Sequence, residues 1–129
     1  MVKKIINGGE YLLRAISCSE VFTPEDFTDE HKQIAATTEQ FVASEIMPIN
    51  GQIEAKDFDL VVKKLKECAE LGLMMIDAPE EYGGLELDKA TSMLVMEKMA
   101  YALNFGLTYM AHTGIGMLPL IYYGTADQK

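Results

Sequence analysis

Phe58, Val61, Val62, Leu65, Cys68 and Ala69 recur at steps of three and four, while Lys63, Lys64, Lys66, Glu67 and Glu70 fill positions between them. Apolar residues at that spacing share one face of a helix, and the charges take the opposite, solvated face. Asp57 before the run supplies a side-chain cap for the first amides, and Gly72 after it suits the left-handed residue that ends a helix. The same period runs through Ile34, Thr38, Phe41, Val42 and Ile46. A hydroxyl, a proline and two acids at Thr23-Pro24-Glu25-Asp26 predict the start of that helix. Pro48 predicts its end, because proline has no amide hydrogen to continue the ladder.

The stretch "MMIDAPEEYGGLELD" over 74–88 reads as a long loop, punctuated by Pro79, Gly83 and Gly84. Asp88 then caps a third helix carrying Met93, Leu94, Val95, Met96, Met99, Ala100 and Leu103. Its apolar residues face nearly every direction, which predicts burial on more than one side. Asn104 and Gly106 predict a break, and "FGLTYMAHTGIGMLPLIYYG" over 105–124 predicts a fourth helix ended by Gly124. Thr125 to Lys129 reads as the cap and first turn of a further helix. No segment alternates with period two for long enough to make a strand. The expected fold is all-α, an up-and-down bundle of four main helices. Residues 1–22, of mixed character, are an N-terminal arm, and 23–129 are the helical domain.

The fourth helix carries the functional question. From Met99 to Ala126 there is no charged side chain, in a chain that is 24% charged. Thr108, His112, Thr113, Gly114, Gly116 and Pro119 make the run too polar and too broken for a membrane span. It is expected instead to be an inner helix of the bundle. Gly114 and Gly116 each cost about 1 kcal/mol relative to alanine in a helix interior, which predicts close approach by another backbone or a ligand. Pro119 requires a local departure from the regular ladder.

Charge narrows the partners. The formal net charge is −9, and between Lys66 and Lys89 there are acids and no bases. Phosphate backbones and anionic headgroups would be repelled by such a face, so no nucleic acid is expected as partner. Two cysteines, Cys18 and Cys68, are not a disulfide framework, and Cys68 sits on the apolar face of its helix. Lys3 and Lys4 are followed by an apolar stretch broken at once by Asn7, Gly8, Gly9 and Glu10, so no signal peptide is read there. A reducing, cytoplasmic setting is expected.

Familiar chemistry is missing. Gly114-Ile115-Gly116 lacks the third glycine and the preceding strand of a dinucleotide fingerprint. A di-iron bundle needs Glu three residues before His, whereas Thr28 precedes His31 and Tyr109 precedes His112. No metal is expected. Each lone histidine reads first as a hydrogen-bonded core residue, and no triad can be named.

Four stretches in order resemble the N-terminal helical domain of the acyl-CoA dehydrogenases: "FTDEHKQIAATTEQFVASEIMP", "LKECAELGLMMIDAPEEYGGLELD", "MEKMAYALNFGLTYMAHTGIGMLPLIYYGT" and the terminal "DQK". The resemblance covers residues 22 to 129, and "NGGEYLL" is similar to the lead-in of the very-long-chain branch. It implies a much longer subunit with a flavin-binding β-domain and a C-terminal bundle bearing the catalytic glutamate. It also implies FAD as cofactor, fatty acyl-CoA as substrate, trans-2-enoyl-CoA as product, electron-transfer flavoprotein as electron acceptor and a homo-oligomer. This chain then holds no catalytic and no cofactor-binding residue.

What the resemblance assigns to this chain is the wall of the acyl pocket. The helix matching 105–123 lines its deep end in the family. Ala111 falls where medium-chain members carry a pocket-closing glutamate, His112 beside it, and Ile115 one turn on. The pattern from Ala111 to Gly116 is similar to long-chain members, whereas Leu107 is bulkier than the small residue of some very-long-chain ones. The alternative is a stand-alone helical module that binds acyl chains or a protein partner.

Overall fold

Helix α3 (Phe58–Glu70) forms where the periodicity places it, with the Asp57 carboxylate accepting the Leu60 amide at 3.1 Å. Gly72 follows in the left-handed region at φ +77°. The chain is described here by a computed structural model that covers residues 4–129. The part of the arm at 1–3, Lys3 included, lies outside the described residues. Among the described residues every regular element is helical. Besides α3 these are α1 (Asp29–Phe41), α2 (Asn50–Glu54), α4 (Lys89–Met99), α5 (Leu103–Met110) and α6 (Leu118–Tyr123), with short 3-10 and π turns between them.

Helix α1 starts later than its signal. Thr23-Pro24-Glu25-Asp26 does cap a turn, with the Thr23 amide donating to Asp26 at 2.7 Å, but it is a separate 3-10 turn, Pro24–Asp26. Phe27 is extended, and the helix is capped by Thr28, whose hydroxyl accepts the His31 amide while His31 Nδ1 accepts the Thr28 amide. Two reciprocal caps form within six residues, and Phe27 and Phe22, between and before them, set their rings edge-on to His31.

Nor does Pro48 end the helical path. A π turn, Val42–Ile46, widens the helix, and Pro48 enters a 3-10 turn, Met47–Ile49, that leads straight into α2. A π turn shifts the hydrogen-bond ladder by one residue, which accommodates the missing proline amide.

The core joins these pieces. Helix α1 packs on α4, α4 on α5, and α2 touches both α3 and α5. Phe41, Val42, Ile46, Val61, Cys68, Val95, Met99 and Phe105 form its centre, and Phe41 meets Phe105 at 6.1 Å between ring centroids. Helix α4 is covered over most of its circumference, as its pattern predicts; the stripe Lys89, Met93, Glu97 and Ala100 faces water. Burial pushes the Cys68 thiol up to about 12, so it stays a reduced, protonated core residue, whereas Cys18 is exposed.

One charge crosses from its expected place. Lys64, read as part of the solvated face of α3, is buried, its Nζ 2.7 Å from both Glu45 and Glu67. Glu67 lies three residues on, but Glu45 arrives from the π turn of another helix. Burying an ammonium is tolerable only with such partners.

Candidate functional site

The uncharged run is not enclosed. A 3-10 turn, Ala100–Ala102, bends the chain after α4, and Gly106 sits where a Cβ would come 2.6 Å from the Met99 carbonyl oxygen. Gly106 therefore serves the close crossing of α4 and α5. One face of the run is buried, through Phe105, Gly106, Tyr109 and Thr113, while the opposite face is open. The inner-helix expectation holds for one side only. Composition cannot reveal that difference, because an uncharged face suits a bundle core and an interface equally.

The centre of the run is a π turn, Ala111–Gly116, in which the Met117 amide reaches back five residues to the His112 carbonyl at 3.0 Å. Pro119 follows near the start of α6, so the wide turn takes up the lost amide bond. The glycines have a different cause from the one their sequence suggests. A Cβ at Gly114 would meet nothing within 4 Å, and one at Gly116 would stand 3.1 Å from the Ala111 carbonyl of the same turn. No foreign backbone approaches them among the described residues.

Tyr109 anchors the segment just before that turn. Its hydroxyl donates to the Leu73 carbonyl at 2.5 Å, and burial holds the phenol well above its ordinary pKa. Thr113 turns the same way and bonds the Tyr109 carbonyl at 3.0 Å. Replacing Tyr109 by phenylalanine is expected to cost about 1–2 kcal/mol, because it strands a buried carbonyl. Denaturant unfolding checks this, and an unchanged midpoint would show that the carbonyl bonds elsewhere.

Ala111, His112 and Ile115 all lie on the open side, Ile115 being 76% exposed. The structure brings them together with two neighbours: Leu103, Leu107, Ala111 and Ile115 are spaced by four and form one exposed apolar stripe along α5 and the π turn. Leu103 is the member that motif matching passes over; its signal is the four-residue spacing alone. The stripe runs between two clefts. One of about 450 Å³ is lined by Ile53, Phe58, Val61, Asn104 and Thr108 with the charged Glu54 and Lys56, and one of about 190 Å³ by Ala78, Tyr82, Met117, Leu120, Ile121 and Gln128 with Lys129. No helix of the described residues is long and apolar enough to cross a membrane.

The other histidine has a structural post. His31 is buried, and its Nε2 lies 3.2 Å from both carboxylate oxygens of Asp88. Nδ1 accepts the Thr28 amide, so Nε2 carries the proton and donates to Asp88. Partial burial acts to raise the Asp88 pKa, but the Thr91 amide and hydroxyl and His31 outweigh it, and the carboxyl is lowered. Hydroxyl, imidazole and carboxylate thus meet, yet each is spent on capping α1 or α4. His31 is the hydrogen-bonded core residue expected; His112 is exposed and is not.

The profile described as "Acyl-CoA dehydrogenase, N-terminal domain" matches residues 28–129. A probable acyl-CoA dehydrogenase of Bacillus subtilis (strain 168) is 46% identical over 132 aligned residues, covering 100% of this chain and 22% of that protein. The short-chain specific acyl-CoA dehydrogenase, mitochondrial, of Bos taurus is 26% identical over 110 residues, covering 84% of this chain and 26% of its own length. Those shares make the two relatives about 600 and about 420 residues long, from 132 being 22% of one and 110 being 26% of the other. The crystal structure of an acyl-CoA dehydrogenase complexed with FAD from Bacillus anthracis superposes with a TM-score of 0.88 at 49% identity, covering 94% of this chain and 21% of that one. This chain therefore spans only about a quarter or less of the length of these relatives. With the matching order of helices, loop and uncharged run, this chain belongs to the acyl-CoA dehydrogenase family, through its N-terminal helical domain.

Proposed function

We propose that this chain is the part of a longer, FAD-dependent acyl-CoA dehydrogenase that lines the deep end of the acyl cavity, and that the enzyme takes long straight chains. One observation carries the reading: the exposed stripe of Leu103, Leu107, Ala111 and Ile115 is apolar and bears no carboxylate. An acyl tail laid on it gains about 0.8 kcal/mol for each CH₂ taken out of water. Ala111 at the centre leaves room for the tail to continue, and Leu107 sets how far. The Tyr109 anchor holds the stripe in place, which keeps the tail aligned while water is excluded.

FAD, when bound, accepts the hydride that leaves the β carbon as the enoyl-CoA forms. The run from Met99 to Ala126 has no basic side chain for its pyrophosphate, so the flavin contacts are assigned to the remainder of the longer polypeptide. The base that takes the α proton belongs there too. This domain binds and orients the tail, and does no proton transfer. Electrons would pass to electron-transfer flavoprotein, from a homo-oligomeric enzyme of the cytoplasm. The test is anaerobic mixing of the full-length protein with saturated acyl-CoAs of increasing length. Bleaching of the flavin with trans-2-enoyl-CoA as product, strongest for long chains, is the expected result. Failure with every acyl-CoA overturns the reading.

A further inference from the structure

Residues 6–20 form a loop closed by its own polar groups. The Ile6 amide closes it onto the Glu20 carbonyl at 3.0 Å. Arg14 donates through Nε to Glu10 at 2.7 Å and through Nη2 to Glu20 at 2.8 Å. The same two carboxylates accept the amides of Asn7 and Ser17 at 3.0 and 2.8 Å. Gly9, at φ +80°, turns the chain into the short 3-10 helix Glu10–Leu12. The charges are thus spent on one another, and Tyr11, Leu12 and Leu13 stand outward, 61, 75 and 86% exposed. Three successive apolar side chains held out by a closed polar network are preorganised for burial against a partner.

The lengths of the relatives indicate which partner. The profile shared by the family begins at residue 28, so the arm is outside the common part. The bovine relative of about 420 residues matches 84% of this chain, whereas the Bacillus subtilis relative of about 600 matches all of it, arm included. In these two relatives, a match over the whole chain goes with the greater length. We infer that the Tyr11-Leu12-Leu13 edge docks on the additional segment that distinguishes the relatives of about 600 residues from those of about 420, within one polypeptide. A lipid surface is the poorer fit, because Arg14 is held by two carboxylates and residues 6–20, with Glu10 and Glu20 against Arg14, are net negative. The inference rests on the reading that this chain is the N-terminal domain of such a dehydrogenase.

The test places p-benzoylphenylalanine at Leu12 or at Leu13 of the full-length protein, with exposed Lys63 as the control position. After illumination, linked peptides are identified by mass spectrometry, and acyl-CoA dehydrogenation is assayed on the same sample. The expected product is an intramolecular link from either arm position to the additional segment, absent from the control. Links to a second subunit, to the part shared with the shorter relatives, or to added phospholipid vesicles overturn the inference, as does yield no higher than at Lys63 or a polypeptide without the segment. An active enzyme with the wrong links sinks the docking alone; an enzyme inactive on every acyl-CoA sinks the functional reading.

Discussion

Ala111→Glu in the full-length enzyme is expected to move its chain-length optimum toward shorter acyl-CoAs. The substitution puts a carboxylate in the middle of the stripe, with Leu107 one turn before it and Ile115 one turn after. If it denies the tail its last four methylenes, the loss is about 3 kcal/mol at 0.8 kcal/mol each, or roughly two orders of magnitude in kcat/KM for the longest substrate. Short substrates, which never reach position 111, should lose little. Ala111→Gln separates bulk from charge: an equal shift shows that size closes the pocket, and a smaller one that desolvating the carboxylate contributes. The measurement is kcat/KM across a series of chain lengths, and an unchanged profile removes Ala111 from the acyl wall.

Gly84→Ala is expected to be the most destabilising single methyl that can be added to the long loop. A Cβ at Gly84 would stand 1.9 Å from the Ala78 carbonyl oxygen and 2.5 Å from its Cβ. That carbonyl cannot move aside freely, because it accepts the Glu86 amide at 2.9 Å. On either side the Leu85 and Leu87 amides bond to Met75 and Ile76 at 2.9 Å, so the loop is laced to the core strand of residues that follows α3. Relief requires breaking at least part of this set, which places the cost above about 3 kcal/mol and the fall in Tm near 10 °C. The neighbouring Gly83 is the internal comparison. It has φ +80° and open space around it, so Gly83→Ala should cost only the left-handed backbone preference, about 1–2 kcal/mol. Thermal unfolding of the two variants checks the order, and a Gly83 variant weaker than the Gly84 one would show that the loop shifts as a body.

These predictions draw on different depths of information. Position 84 is visible in the sequence only as one glycine of a turn-rich loop, and Gly83 beside it looks the same. Their backbone angles and the Ala78 carbonyl tell them apart. Position 111 is legible through resemblance, but its exposure, and the stripe that includes Leu103, come from the bend at Ala100–Ala102 and the π turn. The run that the sequence presents as an inner helix is covered on one face only, and its other face is open.

Helix α3 and the start of α4 are readable nearly to the residue, because Asp57, Asp88 and Gly72 act on amides and dihedrals within three or four positions. The end of α4 is not, since it stops at Met99 and the break falls at Ala100–Ala102, not at Asn104 and Gly106. The apolar period of α3 and the all-round apolar character of α4 likewise followed from local spacing. Contacts between distant residues decided the rest. His31 reaches Asp88 across 57 residues and ties the cap of α1 to the cap of α4. Glu45 reaches Lys64 across 19 and draws an apparently solvated lysine into burial. Which side of the uncharged run is covered depends on where α4 crosses at Gly106 and where Leu73 receives Tyr109. Caps, periods and turn glycines carry their energy locally and so can be read along the chain. Burial of a given face is a property of what packs on it, and that was settled only when the helices met.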